Sequence, residues 1–144
     1  MASAARVIEI LGGRGVFKGS AHDRKRLIER VRSGLPYSSL ETLASRFQIG
    51  QRELVAVLDL PLRTLARRKR ERRLRADESD RLLRLGRIAA LAEEMLGSRE
   101  KAAAWLHQPN RALGNVAPLR HLDTDLGARE VEDLLIRIAH GVHS

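Results

Sequence analysis

The sequence predicts an all-α protein in which a helix-turn-helix domain is followed by a second small helical domain. Leu, Ala, Arg and Glu dominate, whereas Val, Ile, Thr, Phe and Tyr are sparse. Apolar residues recur at three- and four-residue spacings rather than alternating, the period of helices buried along one side. Proline, glycine and capping residues punctuate that pattern at the spacing of short helices. At 144 residues the chain can bury a core of its own.

Taken in order, residues 1–20 hold Gly12, Gly13, Gly15 and Gly19 and read as a loosely ordered lead-in. Leu27, Ile28 and Val31 mark a first helix, closed by Gly34 and Pro36. Ser38 lies three residues before Glu41, a capping-box spacing, and opens a helix with Leu40, Leu43, Ala44 and Phe47 on one face. After Gly50 a short helix runs through Leu54, Val55 and Leu58. Asp59-Leu60-Pro61 then starts a third, because proline fits a first turn whose N–H would be unpaired anyway. Asp77 and Asp80 open a long helix striped by Leu82, Leu85, Ile88, Ala89, Ala92, Met95 and Leu96 and stopped at Gly97. Ser98 caps the next, with Ala102, Trp105 and Leu106 as its apolar side. A loop with Gly114 and Pro118 and a turn around Leu119–Leu122 follow. Gly127 precedes a final helix striped by Val131, Leu134, Leu135 and Ile138, which Gly141 ends. The expected divisions are 1–35 (lead-in and first helix), 36–76 (helix-turn-helix domain) and 77–144 (second helical domain).

Charge separates the halves. Residues 1–76 carry 18 Lys and Arg against 7 Asp and Glu, while residues 77–144 carry 9 against 11. The first half is built to meet a polyanion. With two Phe, one Tyr and one Trp, the aromatic platforms that stack single-stranded bases are missing, so duplex DNA is favoured over RNA.

That charge centres on residues 61–73, the second helix of the pair that reads major grooves in helix-turn-helix proteins. Leu62, Leu65 and Ala66 are expected to pack inward, with Arg63, Arg67 and Arg70 in a row opposite. Arg63, Thr64 and Arg67 are assigned to base edges, since Arg pairs bidentately with guanine and Thr touches a thymine methyl. Arg68, Lys69, Arg70, Arg72 and Arg73 are assigned to phosphates, which position without specifying. Residues 63–75 hold eight positive charges against Glu71 alone, a self-repulsion that a polyanion relieves.

Catalytic chemistry finds no support. There is no cysteine, and of the five histidines only His140 and His143 stand at helix-turn spacing, without other ligands nearby. Gly12-Gly13-Arg14-Gly15 lacks the strand and the Lys-Ser/Thr of a phosphate loop. Glu93 and Glu94 point to adjacent faces and read as solvated. The expectation is a non-enzyme without cofactor or metal, soluble and cytoplasmic, with no signal-peptide or membrane-span pattern.

From Pro61 onward, motif blocks stand in a recognisable order. They are Arg63-Thr64-Leu65-Ala66-Arg67-Arg68-Lys69, Glu78-Ser79-Asp80-Arg81-Leu82-Leu83-Arg84-Leu85 and Glu100-Lys101-Ala102-Ala103-Ala104-Trp105-Leu106. Pro109-Asn110-Arg111-Ala112-Leu113-Gly114, Pro118-Leu119 and Gly127-Ala128-Arg129-Glu130-Val131 come next, before a closing run from Arg137 to Ser144. This arrangement resembles the Xre/MbcA/ParS-type antitoxins, the partners of RES-domain toxins. The resemblance implies a C-terminal toxin-binding domain, homodimerisation, autorepression of an operon, and a toxin that consumes NAD or ADP-ribosylates a target. It places toxin contact at the C-terminal end, on Arg137, Ile138, His140, Gly141, Val142, His143 and Ser144. The chain departs from the family pattern at Ala139-His140, where an acidic residue is common, and at His143, where an aromatic is common. A rival reading is a stand-alone transcription regulator whose C-terminal half only dimerises.

Overall fold

The computed structural model describes residues 4–17 and 24–141. Eight α-helices run through them: α1 (Ala4–Ile10), α2 (Arg24–Ser33), α3 (Tyr37–Phe47), α4 (Gln51–Leu58), α5 (Leu62–Glu71), α6 (Ala76–Leu96), α7 (Arg99–His107) and α8 (Asp125–Ala139). A 3₁₀ helix, Pro118–Asp123, leads into α8. Among the described residues no helix is long and apolar enough to cross a membrane.

The organising element is α6, whose 21 residues reach about 31 Å. Leu82, Leu85, Ile88, Ala89, Ala90, Leu91 and Ala92 are all buried, so more than one side of the helix is covered. Helices α1, α2, α3 and α4 pack against it, and so do α7 and α8. The division expected near residue 76 coincides with the start of α6, and a single apolar core runs across it.

The N-terminal segment corrects the sequence reading. Part of the expected lead-in is helix α1, which buries Val7, Ile8 and Ile10, with Leu11 just beyond. Leu11 and Leu43 pack over Gly86 of α6. The glycines that follow suggested a loose chain; the apolar run before them decides the packing. In α2, Leu27 and Val31 are buried as expected, but Ile28 is exposed.

Three further boundaries differ from expectation. Helix α3 starts at Tyr37 with extended Pro36 ahead of it, and Ser38 makes no cap. The Tyr37 N–H instead donates to the Arg72 carbonyl at 3.1 Å, so a tertiary contact satisfies a donor that a cap would otherwise take. The capping carboxylates are Glu53, accepting from Gly50 N–H at 2.9 Å, and Glu78, accepting from Arg75 N–H at 2.9 Å. Gly127 lies inside the first turn of α8, which Thr124 caps by accepting the Gly127 N–H at 3.0 Å. A side chain at Gly127 would overlap the His121 carbonyl oxygen, so glycine here permits close backbone approach. Ser98 caps α7 as expected, accepting the Lys101 N–H at 3.1 Å.

Candidate nucleic-acid interface

The α4–turn–α5 unit is fixed at both ends before any charge is considered. Asp59 takes a left-handed conformation (φ 52°) at the end of α4, and Leu60 folds back to donate to the Val55 carbonyl at 3.1 Å. Leu60 is buried and anchors the turn; extended Pro61 then launches α5. Arg81 of α6 donates to the Leu58 carbonyl at 3.2 Å, filling an acceptor left open at the end of α4. At its far end α5 stops at Arg72, also left-handed (φ 63°). Beyond it Leu74 N–H donates to the Leu35 carbonyl at 2.8 Å, and Leu35 N–H donates to Ser79 Oγ at 2.7 Å. Gly34 is required at this seam, because a side chain there would overlap the Leu74 carbonyl oxygen.

The inner face of α5 is not the one the sequence suggested. Leu65 is buried, but Leu62 and Ala66 are exposed, and the second buried position is Arg68 at 3% exposure. Its Nε donates to Glu78 Oε1 at 2.7 Å and its Nη1 to Glu71 Oε1 at 3.1 Å. The hydrogen bond to Glu78 holds the Arg68 guanidinium above its ordinary range, and the charge of Glu78 adds to this against the opposing effect of burial. Arg68 therefore does not contact phosphate, as the sequence reading had it. It clamps α5 to α6 and consumes the one local counter-charge, Glu71. The available signal was its place three residues after Leu65, on the same helix face.

The other assigned cations are presented outward. Arg63, Arg67, Lys69, Arg70, Arg72 and Arg73 are exposed, and among the described residues none of them forms an ion pair. Thr64 is half-buried. By helical periodicity Arg63 and Arg70 lie along the middle of the outward side, with Ala66 and Arg67 on either side of them and Leu62 at the edge beside Ala66. This surface can offer bidentate donors near the start of the helix and point charges toward its end.

A second clamp escaped the sequence reading. Glu93 is largely buried, accepting from Arg46 Nη2 at 2.7 Å and Nε at 3.1 Å, and from Arg6 Nη1 at 3.3 Å. That bidentate bond raises the pKa of Arg46, burial opposing it. Glu93 thus ties α1 and α3 to α6 instead of facing solvent beside Glu94. His107, at the end of α7, bridges the two halves: Nδ1 lies 2.9 Å from Glu53 of α4 and Nε2 3.1 Å from the Phe47 carbonyl.

At the opposite end of the chain, Arg137, His140 and Gly141 are exposed, while Ile138 is half-buried against the core. Val142, His143 and Ser144 lie outside the described residues. Trp105 is half-buried against the core, as its helix spacing predicted.

Comparison with known proteins identifies two regions of the chain. Residues 26–87 match the Xre-like helix-turn-helix domain of antitoxins, and residues 91–141 match the C-terminal toxin-binding domain of the Xre/MbcA/ParS antitoxins. The two matches meet within α6. Antitoxin Xre of Pseudomonas putida is 42% identical over 83 residues, 57% of this chain and 52% of that protein, so the match spans about half of that relative's length. Antitoxin Xre of Photorhabdus laumondii is 33% identical over 116 residues, covering 79% of this chain and 78% of the relative. Antitoxin Xre of Yersinia enterocolitica is 31% identical over 120 residues, covering 82% and 81%. A helix-turn-helix with an outward cationic helix, joined through a shared long helix to a toxin-binding module, makes this chain a member of the Xre antitoxin family.

Proposed function

We propose that this antitoxin acts in the cytoplasm, neutralising a cognate RES-domain toxin through its C-terminal region and repressing its own operon by binding duplex DNA as a homodimer. The toxin would be one that consumes NAD or ADP-ribosylates a target, as the order of the motif blocks from Pro61 to the C-terminus suggests. The protein's own role in this reading is binding, not catalysis.

The observation that carries the DNA half is the row of exposed cations on α5, the second helix of the pair, which have no ion-pair partner among the described residues. In the groove, Arg63, Thr64 and Arg67 contact base edges, while Lys69, Arg70, Arg72 and Arg73 contact phosphates. The toxin half is supported by the matched toxin-binding domain and by exposed Arg137 and His140 at the end of α8. Gly141, with the half-buried Ile138 and the tail residues Val142, His143 and Ser144, completes the proposed contact.

Truncation is a poor test, because Val131, Leu134 and Leu135 of α8 are buried in the core. Arg137→Glu with His140→Glu alters only exposed positions. Cells expressing a cognate RES-domain toxin should be protected by the wild type and killed with the double variant, whose helicity and duplex affinity stay unchanged. Full protection by that variant would overturn the assignment of the C-terminal contact.

A further inference from the structure

We propose that Leu62 and Ala66 read thymine, through apolar contact with its C5-methyl group, from within the cationic face of α5. The inference rests on the proposed duplex contact and names a specificity element in it that the charge pattern does not reveal.

Leu62 is 55% exposed, one of three large exposed hydrophobic residues among those described. It is the first residue of α5, the end of such a helix that meets base edges. Ala66 is one turn further along and also exposed, so the two form an apolar strip at i and i+4. The inner face of the helix does not need them, because Leu65 and Arg68 fill it.

Their neighbours decide what can cover the strip. Arg63, Arg67 and Arg70 border it on the same side of the helix, exposed and without ion-pair partners among the described residues. A second copy of this chain docking face to face would bring those guanidinium groups against their like. An apolar protein partner would have to bury them without counter-charges. A DNA major groove supplies both needs at once: phosphates and guanine edges for the arginines, and thymine methyls projecting from the groove floor for the apolar strip. Alanine beside the central arginines also lets that side of the helix come close to the floor, where a longer side chain would hold it off.

The test uses the full-length protein. The preferred duplex is first selected from a randomised library. Each thymine in it is then replaced singly by deoxyuridine, which removes only the methyl group, and affinity is measured at fixed salt. The wild type should bind about fourfold more weakly at one or two positions, the effect of uncovering one buried methyl. Leu62→Ala should bind the thymine and uracil forms equally at one of these positions, with unchanged helicity. Ala66→Gly should do the same at the other where two are found.

Selection of a sequence whose affinity ignores every methyl overturns this inference and leaves the DNA reading intact. Failure to select any sequence over random duplex overturns both. A Leu62→Ala variant that keeps full methyl sensitivity but loses self-association would assign Leu62 to a contact between copies and overturn the inference as well.

Discussion

Helices α5 and α8 are both amphipathic and both carry charge on their outer sides, yet they dispose of it in opposite ways. On α8 charges of both signs alternate and some answer one another: Arg129 meets Asp125 at 3.1 Å, and Glu130 lies 3.6 Å from His121 of the preceding 3₁₀ helix, an ion pair when that imidazole is protonated. On α5 the only carboxylate, Glu71, is engaged by buried Arg68, leaving the outer cations without partners among the described residues. Exposed pairs such as those on α8 contribute little to stability, so the contrast is not about holding the fold together. It concerns what each surface asks of its surroundings. A face of like charges is relieved by a polyanion, whereas a face of mixed sign suits a protein partner.

The same contrast appears within α5. Arg68 and Arg63 are five residues apart, but one is a buried structural charge and the other an exposed donor. Glu78→Ala should produce the largest effect of any single change considered. It leaves the Arg68 guanidinium buried beside half-exposed Glu71 alone and removes the cap on α6, destabilising the fold by about 3–5 kcal/mol in urea denaturation. Replacing the pair together, Arg68→Met with Glu78→Leu, should cost less than the single change, since no charge is then stranded. If the double variant is the less stable of the two, the clamp is not the kind of buried pair described.

The next effect separates specificity from affinity. Arg63→Ala should lower affinity for the preferred duplex by about 1–3 kcal/mol and relax the preference at one base pair, with random duplex little affected. Equal losses on both duplexes would erase the division of roles along α5.

A smaller change tests function against fold at one residue. Arg72 ends α5 with φ 63°, a conformation that costs a side-chain-bearing residue energy. Arg72→Gly should raise stability by about 0.5–1 kcal/mol while weakening binding to every duplex alike. Opposite signs in the two measurements would mark Arg72 as kept for its charge.

Much of the architecture was legible because helices α3, α4, α6, α7 and α8 each bury apolar residues at helical spacing and are bounded by proline, glycine or a capping residue. Leu82, Leu85, Ile88 and Ala89 illustrate this on α6. What escaped came from contacts between distant segments. Helix α1 was hidden because its seven residues precede several glycines and bury their apolar side against distant segments, α6, α3 and α2. Ser38 failed as a cap because the Arg72 carbonyl, in a segment far along the chain, reaches the same end of α3. Arg68 read as a phosphate contact and Glu93 as a solvated charge because local sequence does not show a partner that arrives from another helix. The cationic row was visible in the sequence; which of its members face outward was not. Leu62 and Ala66 were read inward for the same reason, the helix rolling so that Arg68 occupies the inner side.

The most direct test of the α5 surface is how duplex affinity responds to salt in the whole chain. Wild type is compared with a variant carrying Arg70→Ala, Arg72→Gly and Arg73→Ala. Each lost phosphate contact should make the slope of log affinity against log salt shallower by about 0.9, so the variant's slope should fall by about 2–3 while its fold is retained. An unchanged slope would mean that these exposed cations do not meet DNA, and would contradict the claim that α5 presents its unpaired charge to a polyanion.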